Sequence, residues 1–242
     1  MALRRVFVNS VTGGEAVVEG HRAHHLHRVA RLRRGELVEV SDSRQAFLAE
    51  VKRSRASEVA FAIREGVPSP ASPVAMVAGL AIFKFARMEM AIEKATELGA
   101  AVIAPLIAER CDKGLVQGAF KRRERWERIG EEAAGQSRRL APPRIEAPIP
   151  LLEALQTYNA GLRLILDMDS PLMKETLGSC VQGSSVRETA TLLIGPEGGW
   201  TDSERQAARQ AGYQAVSLGG GILRAETAAI AALSVFSHWL SG

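Results

Sequence analysis

Over the first quarter of the chain, apolar and polar positions alternate in short runs. These are Val6-Phe7-Val8, Glu15-Ala16-Val17-Val18, Glu36-Leu37-Val38-Glu39-Val40, Ala46-Phe47-Leu48-Ala49-Glu50-Val51 and Glu58-Val59-Ala60-Phe61-Ala62-Ile63. A period of two predicts strands with one buried face. Gly13-Gly14 and Asp42-Ser43 supply turns between them. His21 to Arg31 reads as a short helix inserted in this series. Several short alternating strands predict a small barrel. The run then breaks at Gly66-Val67-Pro68-Ser69-Pro70-Ala71-Ser72-Pro73, whose prolines forbid helix and favour extended, semi-rigid chain. This stretch predicts a border between a unit at 1–68 and a second at 74–242.

Beyond the border the pattern changes to buried strands separated by helices. Val74 to Leu80 and Ala101 to Ile107 are continuous apolar runs, and Lys84 to Leu98 between them carries apolar residues at Met88, Ile92, Ala95 and Leu98 before Gly99. Strand, helix and strand joined by short loops form a βαβ unit, hence a parallel sheet. A long charged helix is predicted from Lys121 to Arg139, closed by Pro142-Pro143, with Gly135 in its interior. Glycine there costs about 1 kcal/mol relative to alanine. Leu151 to Leu155 reads as a short helix, Leu162 to Asp167 as a strand, and the polar residues 168–188 as a surface loop.

The last fifty residues hold the chemistry. Leu192-Leu193-Ile194 ends abruptly in Gly195-Pro196-Glu197-Gly198-Gly199, and Ala215-Val216-Ser217-Leu218 ends in Gly219-Gly220-Gly221. Ligands gather where strands of an α/β sheet finish, and glycine lets a ligand approach the backbone with no Cβ in the way. Two such loops therefore predict a pocket rather than two tight turns. Thr201-Asp202-Ser203-Glu204 has capping-box spacing, which predicts a helix to Gln210 that stops at Gly212. Thr227 is the expected N-cap of an apolar helix from Ala228 to Leu240.

Composition narrows the class. The 242 residues contain near-average apolar and charged fractions, no run long enough to span a membrane, and no apolar leader at the amino terminus. Cys111 and Cys180 have no metal spacing. These features predict a cytoplasmic chain with no membrane partner and no metal. The net charge is only +4, but arginine concentrates in residues 22–55 and 121–144. Arginine forks onto phosphates and stacks on bases, so a polyanionic partner is expected. His21, His24, His25 and His27 lack a nearby Cys or carboxylate to complete a zinc shell, and basic residues interleave them.

GPEGG followed by LGGGILRAET resembles the bacterial RsmE family, the 16S ribosomal RNA (uracil-N3)-methyltransferases of the SPOUT superfamily. Further similarity runs through His25-Leu26-His27-Arg28-Val29-Ala30-Arg31, the segment at Lys84 and Arg87-Met88-Glu89, Lys94 with Glu97-Leu98-Gly99, and Glu109-Arg110-Cys111. The resemblance implies an amino-terminal PUA-like β-barrel that binds RNA. It also implies a carboxy-terminal SPOUT α/β domain with a mostly parallel sheet, a trefoil knot, S-adenosylmethionine as cofactor, and a homodimer acting on 16S rRNA in the small ribosomal subunit. Cofactor contacts would fall on Leu166, Gly195, Pro196, Glu197, Gly198, Leu218, Gly219, Ile222, Leu223 and Thr227. RNA contacts would fall on His25, Arg28, Arg31, Lys84, Arg87, Gln136 and Arg139. The chain departs from the family at Ala30, Gly135, Gly220, Gly221 and Ala225.

Uracil N3 holds its proton at neutral pH, so methylation there needs a base and a cation near the ring oxygens. Arg224, Glu226 and Glu197 carry the right groups, with the base open between the two glutamates. A dinucleotide-binding loop is the weaker reading, because the second loop runs G-x-G-x-x-R and no acidic residue follows about twenty positions on. A non-catalytic RNA-binding or ribosome-assembly factor would also use the barrel and the arginines, and an enzyme of the same superfamily could methylate a different RNA position.

Overall fold

The computed structural model describes residues 3–68, 74–180 and 189–241. The middle of the proline-rich stretch and residues 181–188 of the predicted loop lie outside them. The chain divides into two compact units, Met1–Ala71 with Glu131–Pro142, and Ser72–Gly130 with Pro143–Gly242.

The first unit contains β1 (Arg5–Phe7), β2 (Glu15–Glu19), α1 (Gly20–Arg28), β3 (Leu37–Ser41), β4 (Ala46–Ser54) and β5 (Glu58–Val67). They form a five-stranded sheet in the order β1-β3-β4-β5-β2. The pairing is antiparallel except for β1 with β3. Two register shifts between β4 and β5, at Leu48/Ala49 and Val51/Arg53, interrupt the ladder; such bulges bend a strand and increase its twist, and the sheet is curled. Val6, Val18, Val40, Val51 and Phe61 turn inward, and Ala23 of α1 closes on them.

The second unit opens with β6 (Ala75–Ala81), α2 (Phe85–Glu97) and β7 (Ala100–Ile107), the expected βαβ unit. There follow α3 (Lys113–Ala119), a 3-10 turn at Phe120–Arg122, α4 (Arg123–Gln136), and the two-residue strands β8 (Arg144–Ile145) and β9 (Ile149–Pro150). The chain ends through α5 (Leu151–Thr157), β10 (Leu162–Leu166), α6 (Met173–Cys180), β11 (Thr189–Ile194), α7 (Asp202–Gln210), β12 (Gln214–Val216) and α8 (Ala225–Ser241). The sheet order is β12-β10-β11-β6-β7-β8, with β9 also on β7, and every pairing is parallel. Strands buried on both faces need apolar residues throughout, which is why Met76–Ala81 and Ala190–Ile194 show no alternation.

Several expectations change. Residues 173–180 form α6 rather than loop, because Met173 and Leu177 are buried one helical turn apart and give it an apolar side. The helix α8 starts at Ala225, with the Arg224 carbonyl accepting from Ala228 N at 2.8 Å, so Thr227 lies in the first turn and not at the cap. The long charged helix begins as a 3-10 turn and stops at Gln136, well before the prolines. Arg138 there adopts a left-handed φ of 55°, and its guanidinium holds Glu39 at 2.9 Å.

That ending explains why Glu131–Pro142 belongs with the first unit. Arg5 donates to the Arg138 carbonyl at 2.6 Å, Ser41 Oγ to the Leu140 carbonyl at 2.6 Å, and Arg22 to Glu131 at 2.5 Å. Arg5 and Glu39 form a buried pair at 2.8 Å, so the carboxylate receives two guanidiniums. Gly135 is the closest approach: a Cβ on it would stand 2.8 Å from the Arg5 carbonyl oxygen.

Helix propensity alone predicts that Gly135→Ala stabilises by about 1 kcal/mol. The Arg5 backbone cannot move aside cheaply, and overpacking costs about 1–3 kcal/mol. The expected outcome is a lower melting temperature for Gly135→Ala, read by differential scanning calorimetry; a rise would show that the helix shifts freely. In the second unit, Arg125 and then Arg122 hold the half-buried Glu89 carboxyl below its ordinary 4.5. A depressed carboxylate contributes stability that is full above the unfolded value and fades as pH falls through the folded one. Glu89→Gln should therefore melt earlier than wild type at pH 7, with the deficit shrinking below pH ~4.

Candidate functional site

Three strand ends meet at one level of the second sheet. Leu166 of β10 is in register with Ile194 of β11 on one side and Val216 of β12 on the other. The segments that leave these strands, 167–172, 195–201 and 217–224, thus emerge side by side. The Asp167 amide donates to the Val216 carbonyl at 2.8 Å, and Leu172 bridges to Ser217, so the first and third segments are also joined beyond the strands.

The middle segment is fixed by Trp200. Its buried indole donates from Nε1 to the Leu166 carbonyl at 2.9 Å. A Cβ on Gly195 would lie 3.0 Å from the same ring, a tighter approach than side chains ordinarily make, so the ring would have to give way to any residue but glycine. Gly199 has φ 69° and closes a turn by donating to the Pro196 carbonyl at 2.8 Å. Arg110 donates to the Gly198 carbonyl at 2.7 Å and to that of Trp200 at 3.4 Å. Gly198 itself is less constrained, because a Cβ there would meet Arg110 at 3.4 Å, an ordinary contact. The loop then enters α7 through a complete capping box, Thr201 accepting from the Glu204 amide and Glu204 from the Thr201 amide. The second Glu204 oxygen accepts from Glu109 N at 2.8 Å. Glu204 therefore joins the start of α7 to the end of β7.

The charged groups stand around this floor. Arg87, on the first turn of α2, pairs with Glu197 at 2.6 Å and lies 3.5 Å from Glu226 Oε1. Glu226 is mostly buried, and among the described residues its Oε2 has no hydrogen-bond partner. Arg224 is exposed one residue before α8. The structure thus brings together Arg87, Glu197 and Glu226 from three separate elements. Pro196 is buried and Leu166 and Leu218 are partly buried against the core, whereas Gly198, Ile222, Leu223 and Thr227 are exposed, Ile222 with 86% of its surface in water. Gly219 takes φ 114°, and a Cβ on Gly220 or Gly221 would meet open space.

Lys84 is exposed at the residue preceding α2. The remaining predicted RNA-contact residues lie in the first unit. Arg28, Arg31 and Gln136 are exposed, and His25 is 3.7 Å from Glu132. Burial pushes the Arg139 pKa down. His27 takes a different partner, Ser54 Oγ at 3.0 Å from Nδ1, and among the described residues no group of three His, Cys, Asp or Glu side chains is placed to hold a metal ion.

Sequence reasoning singled out neither Trp200 nor Asp167 for this site, and it read Arg110 only as part of a family signature. Asp167 receives Arg205 Nε at 3.1 and 3.2 Å, which holds the first segment to α7. The signal for both was position: Trp200 directly follows the GPEGG loop, and Asp167 directly follows an apolar strand.

Comparison with known proteins bears on this geometry. Residues 70–237 match the RNA methyltransferase domain family. A ribosomal RNA small subunit methyltransferase E from a Synechocystis species is 34% identical over 87% of this chain and 69% of its own length. Another, from Rickettsia conorii, is 30% identical over 97% of this chain and 95% of its own. The crystal structure of a ribosomal RNA small subunit methyltransferase E from Neisseria gonorrhoeae bound to S-adenosyl methionine superposes with a TM-score of 0.83 at 27% identity, covering 98% of this chain and 97% of that one. Family match, full-length relatives and the shared fold agree: the chain belongs to the RNA methyltransferase domain family, with the ribosomal RNA small subunit methyltransferases E.

Proposed function

We propose that this protein is an S-adenosylmethionine-dependent methyltransferase that modifies N3 of a uridine in the 16S rRNA of the small ribosomal subunit. The observation that carries it is the glycine floor at three adjacent strand ends, beside two glutamates that share one arginine. The residues present fit the cofactor. A Cβ on Gly195 would stand within 3.0 Å of Trp200, the backbone at Gly219 to Gly221 is open, and Leu166, Pro196 and Leu218 offer apolar side chains at the strand ends for an adenine ring. When bound, S-adenosylmethionine supplies an electrophilic methyl carbon on a sulfonium. The chain would hold it with the backbone of Leu166, Gly195 to Gly198, Leu218, Gly219, Ile222 and Leu223, with Thr227 at the rim.

The protein's own task is to place the uracil and take its N3 proton. Glu226 offers a carboxylate oxygen with no protein donor among the described residues, and Glu197 lies across Arg87 from it. Arg224 is free to turn toward the ring oxygens, where negative charge develops as the proton leaves. Arg87 orients both carboxylates, and its own RNA contact follows from release by Glu197. In the first unit His25, Arg28, Arg31, Gln136 and Arg139 bind the flanking RNA; there the curled five-stranded sheet serves as a PUA-like barrel, in a domain at 1–68 that also takes Glu131–Pro142 from the 74–242 region otherwise read as the methyltransferase domain.

The knotted topology rests on chain order. The chain leaves β12 at one edge of the sheet, and α8 packs back against α2, β11 and β6 on the far side of β10. This order supports a trefoil knot, for which we infer that the chain into α8 passes the 167–172 segment. No helix of the described residues is long and apolar enough to cross a membrane. A cytoplasmic homodimer is the working form we assign.

Titration calorimetry should show S-adenosylmethionine binding to the wild-type protein and none to Gly195→Val, whose branched side chain meets the Trp200 ring that fixes the loop. A well-folded wild-type protein that binds no cofactor, with or without RNA, sinks the methyltransferase reading and leaves an RNA-binding factor. Single-turnover methylation of small subunits should then fall about 10²–10⁴-fold for whichever of Glu226→Gln and Glu197→Gln removes the base, with cofactor affinity unchanged. Equal rates for both variants and wild type would mean that neither accepts the proton.

A further inference from the structure

The turn between α3 and α4 exposes an aromatic ring among fixed cations. Phe120 keeps 54% of its surface in water, while Phe85 and Trp126 pack on each other at 6.4 Å between centroids. The Arg122 guanidinium sits over Phe85, its Cζ 4.0 Å from the ring centroid. Arg125 forks onto Glu89 at 2.6 and 2.7 Å, and Arg122 reaches the same carboxylate at 3.3 Å. Lys84 and Lys121, each next in sequence to one of these residues, are exposed and have no ion pair among the described residues. Two guanidiniums thus share one carboxylate, and two exposed lysines adjoin the same segments in sequence. The turn is held in place, since a Cβ on Gly118 would come within 2.9 Å of the Phe85 ring.

We propose that Phe120, Lys121, Arg122, Arg125 and Lys84 form a second RNA-contact surface, gripping single-stranded RNA next to the target nucleotide. The inference rests on the rRNA methyltransferase reading above. An exposed ring among pre-oriented guanidiniums offers stacking faces and phosphate donors together, the combination that single-stranded RNA recognition uses. A protein partner fits less well, because the two exposed lysines, Lys84 and Lys121, are of the type that protein interfaces disfavour. The surface is also near the site. On α2, Phe85 and Glu89 flank one side of the buried stripe formed by Met88 and Ile92, and Arg87 flanks the other. RNA crossing the first turn of this helix has about one helix width, ~10 Å, to cover.

The test is fluorescence anisotropy of a labelled single-stranded oligouridylate against wild type, Phe120→Ala, Phe120→Trp and Lys121→Ala, without cofactor and across a salt series. Phe120→Ala should weaken binding about 5- to 100-fold, and Phe120→Trp should restore it. Lys121→Ala should reduce the slope of log affinity on log salt by about 0.7, one phosphate contact on a single strand. Melting temperatures should stay at the wild-type value, because both side chains are exposed; if Phe120→Ala misfolds, the Lys121→Ala slope decides. Wild-type affinity and slope in all variants would overturn the proposal and assign the face to some other partner. The two readings fail separately. RNA binding that depends on Phe120 without any cofactor binding removes the methyltransferase and keeps the surface, whereas cofactor binding with RNA affinity indifferent to Phe120 does the reverse.

Discussion

The hydrogen bond from Trp200 to the Leu166 carbonyl ties the pocket together. A strand end in a parallel sheet leaves a carbonyl with no partner beyond the last ladder bond, and burying it unpaired would cost about 1–3 kcal/mol. The indole satisfies that carbonyl and in the same stroke sets the path of the 195–199 loop, because the ring packs so closely on Gly195 that a Cβ there would stand only 3.0 Å from it. Arg110 then takes the two carbonyls on the outer side of the loop. A segment rich in glycine, which loses more freedom on folding than any other residue, is thereby given one conformation. A binding loop assembled this way presents backbone groups already aimed, so little ordering remains for the ligand to impose.

The same economy of contacts holds the neighbouring elements. Glu204 caps its own helix with one oxygen and accepts from Glu109 with the other, so a single side chain fixes both the start of α7 and the turn after β7 from which Arg110 projects. Asp167 and Arg205 fasten the first segment to the same helix. Three loops that come from distant parts of the sequence therefore share one support, α7, and a substitution on that helix would reach all of them through polar contacts that do not touch the ligand.

Much of this was legible beforehand, for identifiable reasons. Alternation gave the strands of the first unit, and the apolar runs ending in glycine gave β11 and its loop, because both signals are local. The capping box at Thr201 was readable for the same reason: its two hydrogen bonds join residues three apart. What escaped depended on long-range packing. Gly135 looks like a helix flaw in one dimension and is a contact requirement in three, with Arg5 far away in sequence. Helix α6 hid in a polar stretch because only Met173 and Leu177 mark its buried side. Thr227 had the chemistry of a cap but not the position, since the helix runs back to Ala225 and the first carbonyl it uses is that of Arg224. The pairing of Arg87 with both Glu197 and Glu226 could not be seen at all, because each of the three belongs to a different segment.

The departures at Gly220 and Gly221 and the orphan oxygen of Glu226 belong to one physical argument. A mostly buried carboxylate oxygen without a donor is a cost that a structure optimised only for stability would remove, and local rules tend to be broken where function resides. The loop that precedes Glu226 carries the opposite feature, with three consecutive glycines and an Ile222 side chain almost wholly in water. Such a loop has few restraints of its own and has to be ordered by whatever it closes on, at an entropic cost of about 1–2 kcal/mol per residue fixed. The floor at Gly195 and the strap at Gly219 to Leu223 therefore differ in how much order they carry of their own: the floor is braced by Trp200 and Arg110, whereas the strap, with glycine at 220 in place of a stiffer residue, gains its order only from what packs on it.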